Sequence, residues 1–154
     1  MNEITIGIDD PSRPEVTALL QQLDDFLTSL YEPEHNHLMP VTALLEPRVT
    51  FITARCGDRP VGCGAIVDHN GDYAEVKRMF VVPEFRGRGI ARRILTELEC
   101  LARRAGFGRM RLETGAMQEQ AIGLYRSVGF RPREQFGDYP NIPFLSVFLE
   151  KQIA

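Results

Sequence analysis

The sequence is short of every feature that marks a secreted, membrane-bound or polyelectrolyte-binding protein. No apolar run approaches the length needed to cross a bilayer. Met1 to Asp10 is acidic with only a short apolar patch, so it has neither the basic start nor the apolar core of a secretory signal. Cysteine is scarce: Cys56, Cys63 and Cys100 are odd in number and lack CxxC spacing, which predicts buried thiols in a reducing compartment and a cytoplasmic address. Charge of one sign is missing too, since 25% charged residues sum to a net charge of -3, which argues against disorder and against a polyelectrolyte partner. His35 and His37 form an HxH pair, but the remaining histidine, His69, is remote, so a solvated loop is favoured over a metal site. Arg92, Arg93, Arg103, Arg104, Arg109 and Arg111 read as a solvated face, because their spacing is helical and no aromatic stacking platform accompanies them. Neither nucleic acid nor membrane is expected as a partner.

The 154 residues, 44% of them hydrophobic, suffice for one core, and no linker, repeat or low-complexity segment divides them, so residues 1–154 read as a single domain. Ile4, Ile6 and Ile8 alternate as a half-buried strand, and Pro14 to Leu30 carries an apolar stripe of helical period. A loop follows from Tyr31, then a short helix from Pro40 to Leu45. Phe51–Cys56 and Pro60–Asp68 flank the turn Gly57-Asp58-Arg59 as a hairpin, and a further strand runs from Tyr73 to Val82. A long helix is predicted from Gly89 to Ala105, with Cys100 counted on its apolar stripe and Gly106 as its C-cap. A strand at Met110–Thr114, a helix at Gln118–Val128 and a last strand at Phe144–Glu150 complete a mixed α/β (α+β) fold.

The chemistry gathers where the strand ending at Val82 passes through Arg86-Gly87-Arg88-Gly89 into the long helix. A strand, a glycine loop and a helix start make an anion site: the helix N-terminus carries about half a positive charge, and Gly87 and Gly89 allow backbone N–H groups to meet phosphate oxygens. The sequence holds no GxxxxGK[ST] motif, and the glycine spacing is not GxGxxG, so nucleotide-triphosphate and dinucleotide loops are excluded.

Arg86, Gly89 and Ala91, preceded by Val81-x-Pro83-x-Phe85 and followed by Ala121 to Phe130 (AIGLYRSVGF), resemble the GNAT superfamily of N-acetyltransferases over nearly the whole chain. The resemblance implies a central, mostly antiparallel mixed sheet flanked by about four helices, with acetyl-CoA as acyl donor and no metal. It implies that Phe80 and Val81 hold pantetheine, and that Arg86, Gly87, Arg88, Gly89, Ile90, Ala91 and Arg92 hold the pyrophosphate through main-chain N–H groups, leaving the arginine heads for the 3′-phosphate or solvent. Where the family often has Asn, seven residues before the tyrosine, this chain has Gln118 as the expected CoA contact.

Tyr125 resembles the proton donor to the leaving thiolate; its other reading is a buried helix tyrosine. Glu75 resembles the family's general base, needed because an alkylammonium with pKa near about 10.4 must lose a proton before attack. Its position also suits a solvent-facing strand carboxylate paired with Lys77 or Arg78, and the sequence leaves both open. Tyr31, Glu34 and His37 would form one wall of the acceptor pocket and Tyr139 the opposite wall. The expected reaction is direct acetyl transfer to a primary amine of a small molecule or peptide; the alternative is a non-catalytic acetyl-CoA-binding regulator. A homodimer through a sheet edge is common among proteins that resemble this one.

Overall fold

The isoleucine alternation near the N-terminus forms β1 (Ile4–Ile8), and the following stripe forms α1 (Pro14–Leu30), with Pro14 in the first turn where its missing N–H costs nothing. Val16, Leu19, Leu20 and Leu23 of α1 are buried. The computed structural model describes residues 3–32, 39–142 and 145–154. Among them α2 (Val41–Leu44) is followed by three consecutive antiparallel strands, β2 (Val49–Cys56), β3 (Arg59–His69) and β4 (Tyr73–Val81). A 3-10 turn at Pro83–Phe85 leads through the glycine loop into α3 (Ile90–Arg104). Then come β5 (Arg109–Gly115), α4 (Glu119–Ser127), a two-residue β6 (Arg131–Pro132) and β7 (Ser146–Gln152).

The sheet runs β1-β2-β3-β4-β5-β7-β6, and every neighbouring pair is antiparallel except β4 with β5. This is the expected mixed sheet with four helices among the described residues. Two elements escaped the sequence. The edge strand β6 is too short to show a period, and the 3-10 turn reads as loop. The last expected strand begins at Ser146 rather than at Phe144, which lies outside the described residues.

Gly62 and Gly64 explain how α3 docks. A Cβ on Gly64 would stand 2.8 Å from Met79 Sδ and 2.9 Å from Ile94 Cγ2, so their absence lets Ile94 and Leu98 of α3 settle directly on β3. At its far end α3 closes in a Schellman motif: Gly106, at φ 90°, donates to Arg103 O, and Phe107 N–H donates to Ala102 O at 3.1 Å.

The expectation of three buried thiols needs correction. Cys63 is buried, Cys56 is half-buried, and Cys100 is exposed on the outer side of α3 because that helix already fills its core stripe with Ile90, Ile94, Leu95, Leu98 and Ala102. No helix among the described residues is long and apolar enough to cross a membrane.

Replacing Gly64 by alanine should overpack the α3 interface and destabilise the domain by about 1–3 kcal/mol, read as a lower urea midpoint at unchanged slope. Burial pushes the Cys63 thiol up to about 12. A thiol reagent near about pH 8 should therefore modify Cys100 fastest and Cys63 only after unfolding, as followed by peptide mass spectrometry.

Candidate active site

Strand β4 loses its neighbour before it ends. It pairs with β5 at only Ala74↔Met110 and Glu75↔Arg111, after which the two strands diverge. The cause is visible on the other side of β4, where Cys63 faces Phe80 and Ala65 faces Lys77, so Gly64 alone opposes both Arg78 and Met79. This is a β-bulge, and Arg78 sits in it at φ 60°, a region that side chains rarely adopt. Its guanidinium is held by Asp24 of α1 and by Met39 O at 2.9 Å, which pins the strained residue.

The divergence opens a cleft of about 710 Å³ between the end of β4, the start of α3 and the face of α4. Phe80, Val81, Arg86, Gly87, Gly89, Ile90, Ala91 and Arg92 line one side, and Gln118 and Tyr125 line the other. Nine of the ten residues expected to hold the cofactor thus meet in one place. Arg88 does not join them: its guanidinium lies over the Phe85 ring, 4.7 Å from the centroid.

Gly87 and Gly89 lie at φ 79° and 77°, and a Cβ on either would meet nothing within 4 Å. Both glycines adopt a left-handed backbone that side chains rarely allow, and the space where a Cβ would stand is open. Gly89 caps α3, and its carbonyl accepts from Arg93 N–H at 3.1 Å, leaving the N–H groups of Ile90, Ala91 and Arg92 without intrahelical partners. The expectation that the arginine heads stay free also needs correction. Arg86 Nε donates to Val81 O at 2.9 Å with its plane over Phe26 and Phe80, and Arg92 Nη2 donates to Ser127 Oγ at 3.0 Å.

A second cavity of about 100 Å³ adjoins the first, and Leu23, Met79, Gln118 and Tyr125 line both. Tyr125 is 7% exposed, and burial raises its phenol well above the ordinary value. Among the described residues its hydroxyl makes no hydrogen bond; its ring packs edge-on against Phe130 at 5.9 Å. The second cavity is walled by the diverging strands at Lys77, Arg78, Glu113 and Gly115, and by Tyr31 from the end of α1. Tyr31 accepts Met117 N–H at 3.1 Å and covers Gly115, where any Cβ would overlap its phenol. Glu34 and His37 lie outside the described residues.

Glu75 and Tyr139 line neither cavity, but they stand directly behind Lys77. Side chains alternate along a strand, so Tyr73, Glu75 and Lys77 share a face, and the register adds Arg111 to it. Lys77 Nζ donates to Tyr139 Oη at 2.5 Å, Tyr139 donates to Glu75 Oε2, and Glu75 Oε1 lies 2.8 Å from His69 Nε2. Glu75 is 4% exposed, so the solvent-facing carboxylate considered from the sequence becomes a buried one, paired with His69 and, at 3.9 Å, with Lys77. Burial lowers the Lys77 ammonium, against the attraction of Glu75 and Glu113, and burial together with Glu75 raises the Tyr139 phenol. Tyr73, Phe136 and Phe148 form the apolar backing of this network.

Sequence reasoning missed Lys77 and Glu113 as cavity residues and Gly115 as the seat of Tyr31. It also missed the bulge, whose only trace is Gly64 facing a strand one residue too long for its partner. No group of three metal-capable side chains occurs among the described residues.

Residues 16–130 match the model of the acetyltransferase (GNAT) family. The chain is 45% identical to the IAA acetyltransferase of Azospirillum brasilense over 154 residues, covering 99% of this chain and 100% of that protein. It is 34% identical to the uncharacterized N-acetyltransferase YsnE of Bacillus subtilis over 96% of this chain and 99% of that one. A crystal structure from Klebsiella pneumoniae, assigned as an acyl-CoA N-acyltransferase, superposes with a TM-score of 0.84 at 33% identity, covering 98% of each chain. A GNAT family acetyltransferase from Elizabethkingia anophelis with acetyl-CoA bound shares the fold at a TM-score of 0.67 and 19% identity, covering 99% of each chain. With a matching family model and full-length relatives of this kind, the chain belongs to the GNAT family and is an acyl-CoA N-acetyltransferase.

Proposed function

We propose that the protein transfers an acetyl group from acetyl-CoA directly to a primary amine of a small molecule or peptide, within one ternary complex. The observation that carries this reading is the early separation of β4 from β5, which places the end of β4 past its ladder with β5, beside a cleft that ends at a glycine-entered helix. Pantetheine fits that edge as an added strand along Phe80 and Val81, and the pyrophosphate fits the free N–H groups of Ile90, Ala91 and Arg92. Gln118 flanks the arm from the α4 side.

The thioester then lies where the two cavities share Tyr125. An amine entering from the smaller cavity attacks the carbonyl carbon, and the thiolate leaves towards Tyr125, whose raised phenol is fully protonated and ready to donate. The amine's surplus proton passes to the Lys77–Tyr139–Glu75 group, so Glu75 accepts it through Tyr139 rather than by touching the substrate. Tyr31 and Met39, which line the smaller cavity, form the outer wall against which the acceptor rests. No cysteine is needed, since Cys63 is held as an inert thiol and Cys100 is remote on α3. A panel of primary amines, with IAA added because of the name of the Azospirillum relative, tests the acceptor by acetyl-CoA-dependent release of CoA.

Tyr125→Phe should leave the acetyl-CoA dissociation constant within about twofold by calorimetry while lowering kcat by about 10²-fold or more, the range for loss of a general acid. Because the Tyr125 phenol is raised, its proton is retained as pH climbs past the ordinary tyrosine value near about 10. The kcat profile of the wild type should therefore show no alkaline loss up to that pH, and a fall beginning near pH 8 would remove Tyr125 from the acid role.

A further inference from the structure

The sequence contains 18 lysines and arginines, and reading along it only two are lysine, Lys77 and Lys151. Lys151 is spent on the far side of the sheet, where Nζ donates to Glu99 of α3 at 2.5 Å. Lys77 stands in the wall of the smaller cavity, on the same cavity surface as Tyr125. Arginine is not acylated by a thioester under ordinary conditions, since its guanidinium stays protonated, so a chain this poor in lysine exposes few side-chain amines to acetyl-CoA. We infer that Lys77 is the protein's own acceptor: with acetyl-CoA bound and no external amine present, the acetyl group passes to Lys77 Nζ within the same molecule.

Three observations make the step chemically complete. Lys77 carries a primary amine and lines the cavity assigned above to the external acceptor, and its burial works against the charged form, which raises the fraction able to attack. Its hydrogen bond to Tyr139 begins a continuous path, through Glu75 to His69, whose side chain is 30% exposed and reaches solvent. Tyr125 stands at the other wall for the leaving sulfur. In the step, the Nζ lone pair attacks the thioester carbonyl, the C–N bond forms and the C–S bond breaks. The sulfur takes the Tyr125 proton, which water replaces, and the proton lost from Nζ travels through Tyr139 and Glu75 to His69. The products are an N-acetyl-lysine and CoA.

The consequence is regulatory. Acetylation removes the Lys77 charge that faces Glu75 and Glu113, and the added acetyl group occupies part of a cavity of only about 100 Å³. A molecule kept in acetyl-CoA without acceptor would close its own acceptor site.

This inference rests on acetyl-CoA occupying the cleft beside Tyr125, so cofactor binding and acetylation are measured on the same sample. The full chain is incubated with isotopically labelled acetyl-CoA and no amine, and binding is followed by calorimetry. Acetyl groups are mapped by peptide mass spectrometry at Lys77, Lys151 and the N-terminal amine. The expected result is acetyl at Lys77, approaching one per chain, at a first-order rate that does not depend on protein concentration. Lys151 should remain at least about tenfold less labelled. Tyr125→Phe should slow the modification at least about tenfold at unchanged acetyl-CoA affinity, and Lys77→Arg should abolish it. Acetyl-CoA binding without acetyl at Lys77, equal labelling of Lys77 and Lys151, or a rate that rises with protein concentration would each overturn the inference while leaving the acetyltransferase reading intact. Absence of acetyl-CoA binding would overturn both.

Discussion

The bulge in β4 is the constraint on which the site depends. A regular β4 would continue its parallel ladder with β5 past Glu75↔Arg111, and its edge N–H and C=O groups would be consumed within the sheet. Placing Arg78 and Met79 opposite Gly64 turns the strand away, leaving that edge beside a cleft. The cost is a left-handed conformation at a residue with a long side chain, of the order of 1–3 kcal/mol. That cost is offset locally, since Arg78 is clamped by Asp24 and Met39 O and its own carbonyl accepts from Cys63 Sγ at 3.1 Å. Gly64 serves the bulge twice, by yielding space to Met79 and by letting α3 sit close enough to bring its N-terminus to the mouth of the same cleft.

Electrostatics then divide the site into two unlike halves. The cleft side is a set of backbone dipoles with its arginines turned to other work: Arg86 bridges back to Val81 O, and Arg92 ties α3 to α4 through Ser127. Under the proposed reading, phosphate recognition of this kind would be built by the loop geometry and would survive changes of side chain. The acceptor side is the opposite, a row of ionisable groups, half-buried apart from the buried Glu75, that runs from Glu113 through Lys77 and Tyr139 to Glu75 and His69 beside Phe136 and Phe148. In a low-dielectric setting such a network holds together only when each member keeps its partner, which makes this half sensitive to single substitutions. In the function proposed above, Lys77 stands in the wall of the acceptor cavity and on the same cavity surface as Tyr125.

Much of this was legible before any coordinates. The isoleucine alternation, the helical stripe from Pro14 to Leu30, the hairpin around Gly57-Asp58-Arg59 and the Gly106 cap carry their structure in local periodicity and backbone preference, and each folds as its pattern directs. The glycine loop and its helix are legible for the same reason, because a left-handed glycine turn into a helix is a property of neighbouring residues. The role proposed for Tyr125 rests on family resemblance and not on its pattern, since a phenol on a buried helix face has the same spacing whatever its role.

What tertiary structure alone decided lies between strands. Whether Glu75 touches substrate or stands behind Lys77 depends on Tyr139, 64 residues away in sequence, reaching across to both. Whether Cys100 joins the core depends on which stripe of α3 meets β3. The parting of β4 from β5 depends on a register slip against β3 that no local pattern encodes. Sequence by itself determines what short-range sterics and periodicity determine, the elements and the glycine loop. The smaller cavity, proposed above to take the acceptor, is assembled from residues whose only relation is that the fold brings them together, so it belongs to the tertiary structure.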